Sequence, residues 1–329
     1  MKKELFGRAK DKDVFLYTIS GDDVEVKLTN YGAIIAAFKV AGIDAVGGFD
    51  NLDDYLLDRS SQGATVGRVA NRIADATLTI DGAVHMLSAN QNGNCLHGGF
   101  EGFNCKVWEI VDEGHNSVTM AYYSEDGEEG FPGGVYTKVR FTLDGNALII
   151  DYEATPEAKT AIALTNHAFF NLNGFGDTIL DQKVIIYAKS ISAVNDKKIP
   201  TGEHPLVAGG EFDFTYLRAI GDAGIDYDHN YVLTPEEYRE FSGKSIGLAA
   251  TAYGDKLMLN VYTDQPGLQF YTGNYLGNGP KFRGGITPIK HGSFCLEAQI
   301  EPNAVQHGVG IYDAGETYRQ TTVYEIKKI

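Results

Sequence analysis

The sequence predicts an all-β fold, a large antiparallel β-sandwich with a few short helices. The 329 residues include 39 Gly, 19 Tyr and 17 Phe but only 9 Pro. Aromatic residues favour pleated strands, and glycines supply the positive φ angles of tight turns. Apolar and polar residues also alternate along several short segments, as they do in half-buried strands. Many short strands separated by close turn signals indicate a sandwich or a barrel.

The strand predictions rest on this alternation and on turn residues. Residues 117–123 (SVTMAYY) and 256–262 (KLMLNVY) place apolar side chains at alternate positions. Residues 140–152 predict a hairpin that turns at Asp144-Gly145-Asn146, and Asp81-Gly82 and Asp126-Gly127 are further turn signals. Additional strands are predicted at 183–187 and 321–326.

Helical signals are scarce. Residues 51–59 (NLDDYLLDR) and 235–241 (PEEYREF) predict about two turns each, the second with Thr234 as N-cap and Pro235 at the first helical position. No repeat, low-complexity tract or linker divides the chain. We therefore expect a single domain over residues 1–329.

Composition restricts the partners of the protein. With 28 Lys and Arg against 44 Asp and Glu, the net charge is −16, which argues against nucleic acid and against an anionic membrane surface. The start of the chain shows no signal peptide, and no stretch is apolar enough to span a membrane. Three cysteines without a CxxC motif predict reduced thiols in a cytoplasmic protein. We expect a small-molecule partner and a monomer or homodimer.

Cofactor motifs are missing from the sequence. It contains no Walker A sequence, no GxGxxG and no HExxH, and no two histidines have the spacing of metal ligands on one strand or helix. We therefore expect neither a cofactor nor a metal. The alternative is a metal site assembled from residues that are distant in the sequence.

Four segments are rich in groups suited to polyol binding or proton transfer. They are 67–73 (GRVANRI), 94–99 (NCLHGG), 165–172 (TNHAFFNL) and 294–299 (FCLEAQ). Glu297 lies among apolar residues, which raise a carboxyl pKa and make a better base near neutrality; the alternative is a buried ion pair with an arginine. His167, with an ordinary pKa of about 6.5, could exchange a proton at working pH or could be a structural histidine.

Seven segments, in this order, resemble the aldose 1-epimerases, also called galactose mutarotases. They are 66–73 (VGRVANRI), 94–99, 165–172, 199–203 with 212–214 (IPTGE and FDF), 228–231 (DHNY), 263–274 (TDQPGLQFYTGN) and 294–299. The resemblance runs from about residue 30 to 324 and implies the galactose mutarotase-like supersandwich.

The resemblance also implies roles for individual residues. Glu297 matches the general base of the family, and His167 matches its general acid. The matched positions that bind the ring oxygen and hydroxyl groups of the sugar are Asn71, Arg72, His97, Asp228 and Gln269. Asp228 is preferred over Asp226 because it directly precedes the His-Asn-Tyr match.

The implied reaction is the interconversion of the α and β anomers of a free hexose such as D-galactose or D-glucose, without a cofactor. One departure is visible, because Phe169 replaces the tyrosine of the family signature and removes a hydroxyl. Two alternatives use the same architecture: a glycoside hydrolase or lyase, with Asp228 as second carboxylate, and a non-catalytic carbohydrate-binding protein. A phosphosugar epimerase would need extra cations beside its pocket, which the charge balance does not suggest.

Overall fold

Strands make up most of the regular structure of the protein. The computed structural model describes residues 1–329. The strands of the first half are β1 (Lys2–Ala9), β2 (Lys12–Ser20), β3 (Val24–Thr29), β4 (Ile34–Val40), β5 (Ile43–Asp44), β6 (Thr65–Val66), β7 (Arg72–Ile73), β8 (Thr77–Ile80), β9 (Ala83–Met86), β10 (Cys95–Leu96), β11 (Glu109–Glu113), β12 (Ser117–Ser124), β13 (Val135–Asp144) and β14 (Ala147–Pro156).

Thirteen further strands and a few short helices complete the fold. The strands are β15 (Thr160–Ala161), β16 (Thr165–Asn166), β17 (Lys183–Ile186), β18 (Ala188–Ile191), β19 (Arg218–Ala219), β20 (Asp228–Leu233), β21 (Tyr238–Phe241), β22 (Lys244–Tyr253), β23 (Leu257–Thr263), β24 (Gly267–Tyr271), β25 (Cys295–Gln299), β26 (Ile311–Tyr312) and β27 (Tyr318–Lys328). The helices are α1 (Leu52–Leu57) and the 3-10 turns Ala74–Ala76, Phe103–Cys105, Glu128–Gly130, Ile220–Ala223, Arg283–Gly285 and Ala304–His307. None of these helices has the length and apolar composition that crossing a bilayer requires.

Three antiparallel sheets form the body of the structure. The largest has ten strands in the order β11-β12-β13-β14-β27-β23-β22-β17-β19, with β21 beside β22. The second contains β1 to β5 in sequence order, and the third has the order β18-β20-β24-β25. A core cluster of 52 buried residues draws side chains from all three sheets, among them Phe38, Ile150 and Phe270. The predicted all-β sandwich is confirmed.

The local predictions agree with this fold except at one helix. Each predicted strand overlaps an observed one, and Asp144 pairs with Ala147 across the predicted hairpin turn. The first predicted helix is α1, whose cap Asn51 accepts a hydrogen bond from the Asp54 amide. The prediction of a helix at residues 235–241 was wrong, since residues 238–241 form β21.

Residues 238–241 pair with the next strand because a tight turn returns the chain at once. Phe241 lies opposite Lys244, so the hairpin turns at Ser242 and Gly243, which have φ angles of 50° and 78°. A two-residue turn with both φ angles positive matches the twist of antiparallel strands. An isolated two-turn helix is only marginally stable. Here the hairpin also buries the Phe241 ring against Tyr262, with ring centroids 5.0 Å apart.

We expect removal of the Phe270 ring to destabilise the fold strongly. Phe270 is fully buried in β24, and its ring lies 5.4 Å from Phe214 and 5.3 Å from Tyr227 between centroids. Phe270→Ala should lower the free energy of unfolding by about 3–5 kcal/mol, as measured by urea denaturation. Phe100→Ala is the control, because Phe100 is 66% exposed and its loss should cost less than about 0.5 kcal/mol. A similar small loss in both variants would contradict the assignment of Phe270 to the core.

Candidate active site

One cavity brings all the sequence-predicted site residues together. It has a volume of about 660 Å³. Its lining includes Asn71, Arg72, His97, His167, Asp228, Gln269 and Glu297. These residues come from distant parts of the sequence, so their convergence is a property of the fold. Each of them is at least half-buried.

Three neighbouring strands of the four-stranded sheet carry the acidic and amide groups. Gln269 on β24 lies directly opposite Glu297 on β25, and Asp228 begins β20 on the other side of β24. The Gln269 Nε2 donates a hydrogen bond of 2.8 Å to Asp228 Oδ1. Side chains on alternate strand positions share a face, so register alone places these groups side by side.

His167 reaches the same cavity from a different part of the chain. It follows β16, which pairs with β6. Its amide donates to the carbonyl of Ala64, and its carbonyl accepts from the amide of Gly63. These two bonds fix the backbone of His167 and direct its ring toward Glu297, with Nε2 at 3.7 Å from Oε1.

The ribbon of β7 and β10 supplies the third wall. Leu96 pairs with Arg72 in this ribbon, and both Asn71 and His97 have left-handed backbones, with φ angles of 62° and 54°. Asn and His adopt this conformation more readily than most residues. The Asn71 amide donates to His97 Nδ1 at 3.1 Å, so the proton of a neutral His97 lies on Nε2.

The Arg72 guanidinium is held from several sides. Its Nε donates to Gln91 Oε1 at 2.7 Å, one NH2 group donates to Asn71 Oδ1 at 3.3 Å, and the other lies 3.8 Å from Asp228 Oδ2. Arg72 is therefore paired with Asp228. The basic side chain within 4 Å of Glu297 is His167, and not an arginine as the alternative from the sequence required.

The two glycines after His97 allow their loop to pack closely against neighbouring segments of the protein. Gly98 has a φ of 83°, and a Cβ atom there would lie 2.1 Å from the Gly67 carbonyl oxygen. Gly98 and Gly99 do not line the cavity. Gly98 lets this loop pack against the backbone of Gly67 and Arg68, and Gly99 lets it pack against the Glu129 side chain.

Burial controls the protonation of the central pair. Loss of solvation raises the pKa of the Glu297 carboxyl well above its ordinary value; the Asp228 charge raises it further, and Arg72 opposes the shift. Burial lowers the pKa of His167 to about 4, although a backbone hydrogen bond and Asp228 act in the other direction. The ordinary imidazole value assumed from the sequence does not hold, because water is excluded from this ring. Burial therefore favours the uncharged forms of both groups.

Two acceptor atoms in the cavity have no hydrogen-bond partner within the protein. They are Glu297 Oε2 and Gln269 Oε1, and both belong to side chains that are almost fully buried. An unpaired buried acceptor is unfavourable by about 1–3 kcal/mol. A ligand with hydroxyl donors would satisfy both atoms, and a polyol has several such donors.

Aromatic rings cover the apolar side of His167. The ring centroids of Phe169 and Tyr271 lie 4.9 Å and 6.3 Å from that of His167. Phe169 is 1% exposed, so the side chain that replaces the family tyrosine packs on the imidazole. The Tyr271 hydroxyl accepts a hydrogen bond of 3.1 Å from the Tyr275 amide and so anchors the loop at the cavity mouth.

Among the lining residues that sequence reasoning missed, Tyr271 and Gln91 contact predicted site residues. Tyr271 is two positions after Gln269 on β24, so strand alternation predicts that it shares the Gln269 face. Gln91 belongs to a short polar cluster before residues 94–99, and no local pattern indicated that it would contact Arg72.

Three side chains of the cavity could hold a metal ion. Ligand atoms of His97, His167 and Glu297 all lie within 4.8 Å of one another, and two His with one Glu is a ligand set that zinc accepts. The Arg72 charge, which contributes to lowering the pKa of His97, opposes a cation at this position. The same three groups are also suited to proton transfer and hydroxyl binding.

Comparison with known proteins identifies the family. The family model described as "Aldose 1-epimerase" matches residues 16–325. The galactose mutarotase of Bos taurus is 37% identical to this chain over 94% of it and 93% of the relative. The aldose 1-epimerase of Escherichia coli (strain K12) is 32% identical, with 91% of each protein covered.

Solved structures give the same result at the level of the fold. A crystal structure of an aldose epimerase homologue from C. elegans superposes with a TM-score of 0.87 at 27% identity, covering 95% of this chain and 99% of the other. A galactose 1-epimerase from Lactobacillus acidophilus NCFM gives a TM-score of 0.87 at 26% identity, with 99% and 98% covered. On its sequence, its fold and the residues gathered in its cavity, this chain belongs to the aldose 1-epimerase family.

Proposed function

We propose that the protein is an aldose 1-epimerase that interconverts the α and β anomers of free hexoses such as D-galactose and D-glucose. The observation that carries the proposal is the buried pair of Glu297 and His167, with Oε1 and Nε2 3.7 Å apart in a cavity of hydroxyl-binding groups. Mutarotation needs one base and one acid at the two oxygens of the anomeric carbon. A carboxylate and an imidazole at this distance can reach both.

The pair works when it holds one proton in total. The Glu297 carboxylate takes the proton of the C1 hydroxyl while protonated His167 gives its proton to the ring oxygen, and the C1–O5 bond breaks to leave an aldehyde. Rotation about C1–C2 presents the other carbonyl face. Neutral His167 then recovers its proton from the O5 hydroxyl as that oxygen attacks C1, and Glu297 returns its proton to O1.

Burial favours the proton transfer itself. The ring-opening step converts a separated pair of charges into a neutral acid and a neutral imidazole, which are the forms that burial of the two side chains favours. The starting charges therefore gain less from their surroundings than they would in water. This lowers the barrier for ring opening from the charged pair, and ring closure then regenerates that pair.

The remaining polar groups can bind the hydroxyls of a sugar whose anomeric carbon faces Glu297 and His167. Arg72 and the Nε2 proton of His97 are donors, whereas Asp228 and the free Gln269 Oε1 are acceptors. Arg72 near the ring oxygen would also stabilise negative charge that develops there. Asn71 holds Arg72 and lines the cavity beside it.

The competing activities are less well supported by this geometry. A glycoside hydrolase places two carboxylates across the bond that it cleaves. Here the group facing Glu297 is an imidazole, and Asp228 is already engaged by Gln269 and Arg72. A protein that only binds sugars has no need of a buried acid–base pair.

Polarimetry tests the proposal directly. The protein should accelerate the change in optical rotation of freshly dissolved α-D-galactose, and Glu297→Gln should lower kcat by about 100-fold or more because the base is lost. Glu301→Gln is a matched control, since Glu301 contacts His204 and does not line the cavity. Equal rates for wild type, both variants and buffer would remove the assignment.

The pH profile tests the protonation of the pair. Below the His167 pKa of about 4 both groups are protonated and no base remains, so kcat/KM should fall with a midpoint near pH 4. Above the raised Glu297 pKa neither group has a proton to give, so kcat/KM should fall again on the alkaline side. Between these two limits we expect a plateau. An acid midpoint near pH 6.5 would show that His167 is solvated, provided that circular dichroism finds the protein folded throughout.

Chelation tests whether the cavity works without a metal. Dialysis against EDTA should leave the rate of anomer exchange unchanged, because the proposed chemistry uses only proton transfer. A rate that falls after chelation and returns with added Zn²⁺ would instead indicate that His97, His167 and Glu297 bind a catalytic metal ion.

A further inference from the structure

Cys295 contacts the side of the His167 ring that the proposed reaction does not use. Its Sγ lies 3.6 Å from His167 Nδ1, whereas Nε2 points to Glu297. Cys295 is fully buried and forms no disulfide. It stands two residues before Glu297 on β25, so register places the thiol and the carboxylate on one face of the strand.

The thiol is the side-chain hydrogen-bond partner of Nδ1. The rings of Phe169 and His97 pack around the imidazole and make no hydrogen bond to Nδ1. The Tyr271 hydroxyl is also near, but it accepts from the Tyr275 amide. The charged groups that act on this part of the cavity are Glu297, Asp228 and Arg72, and none of them is a hydrogen-bond partner of Nδ1.

The chemistry of a thiol matches both states of the imidazole. Burial, together with the charges of Glu297 and Asp228, raises the pKa of Cys295 well above its ordinary value, so the S–H proton is retained. A thiol is a weak donor and a weak acceptor. It donates to Nδ1 of a neutral ring, which keeps the ring proton on Nε2, and it accepts from the Nδ1 proton of the charged ring.

We propose that Cys295 is a positioning residue for His167, whose Sγ pairs with Nδ1 in both protonation states and keeps Nε2 directed at the substrate. This role rests on the proposed function, in which His167 gives and recovers a proton in each cycle. An unpaired Nδ1 would allow the ring to change tautomer or to rotate, and either change removes the proton from the reacting oxygen.

Three substitutions separate hydrogen bonding from packing. Cys295→Ser keeps a donor and acceptor, Cys295→Val keeps an apolar side chain of similar volume, and Cys295→Ala loses both properties. Cys105→Ala is the control for loss of a thiol, because Cys105 lies in a 3-10 turn and does not line the cavity. Thermal unfolding establishes that each variant is folded before its kinetics are compared.

The expected order follows from the hydrogen bond. Cys295→Ser should keep kcat within about twofold of wild type, whereas Cys295→Val and Cys295→Ala should lower it about five- to tenfold, which is the range of one lost hydrogen bond. KM should stay within about twofold in all three variants, because Cys295 does not line the cavity. An active Val variant beside an impaired Ser variant would overturn the proposal in favour of packing alone.

Nitrogen NMR of the histidine ring provides a test that does not depend on activity. In protein labelled with 15N at histidine, with His167 assigned by comparison with His167→Asn, wild type and Cys295→Ser should show one neutral tautomer with its proton on Nε2. Cys295→Val should show a mixture of tautomers. If the Val variant keeps the wild-type ring signals and the wild-type kcat, the thiol does not orient the ring. If the wild-type protein exchanges no anomers, the proposed function fails, and the ring signals still decide whether Cys295 orients His167.

Discussion

The active cavity depends on one constraint, the burial of a carboxyl group beside an imidazole. Neither Glu297 nor His167 is more than 6% exposed. Because little water reaches either side chain, a charge on the carboxylate or on the imidazole is unfavourable. Such a pair is tolerated only where one proton can be shared and where the surrounding groups are themselves fixed. The sheet register of Gln269 with Glu297 and the backbone bonds of His167 provide that fixation.

The polar groups that we propose to bind sugar hydroxyls are held by one another as well as by the backbone. Gln269 holds Asp228, Asp228 faces Arg72, and Arg72 is held by Gln91 and Asn71. A network of this kind keeps polar side chains in fixed rotamers before a ligand arrives, so less conformational entropy is lost when a ligand binds. The left-handed backbones of Asn71 and His97 are part of the same arrangement, because they turn both side chains toward the cavity.

Much of this structure could be predicted from the sequence, and the failures have physical causes. Alternation matches the burial of β13, whose residues are buried at every second position. β12 and β23 are buried on nearly all positions of both faces, and alternation found them because buried polar residues such as Thr119 and Asn260 keep the pattern. The helix predicted at residues 235–241 was wrong because the composition of this segment favours a helix, whereas pairing with β22 determines its structure. The seven site residues came from the family motifs. Gln91 did not, because its contact with Arg72 on β7 joins two segments that only the folded chain brings together. The depressed His167 pKa also depends on tertiary burial.

The mouth of the cavity is built differently from its floor. The floor lies on β24 and β25, where a one-residue shift would turn Glu297 away and disrupt the core at once. The mouth is formed by the loops at residues 57–62 and 275–282, which include the exposed side chains of Leu57 and Tyr275. Insertions and substitutions in surface loops are tolerated far better than shifts within a strand. Preference for one sugar over another can therefore diverge during evolution at the rim without a change in the proposed acid–base pair on the floor.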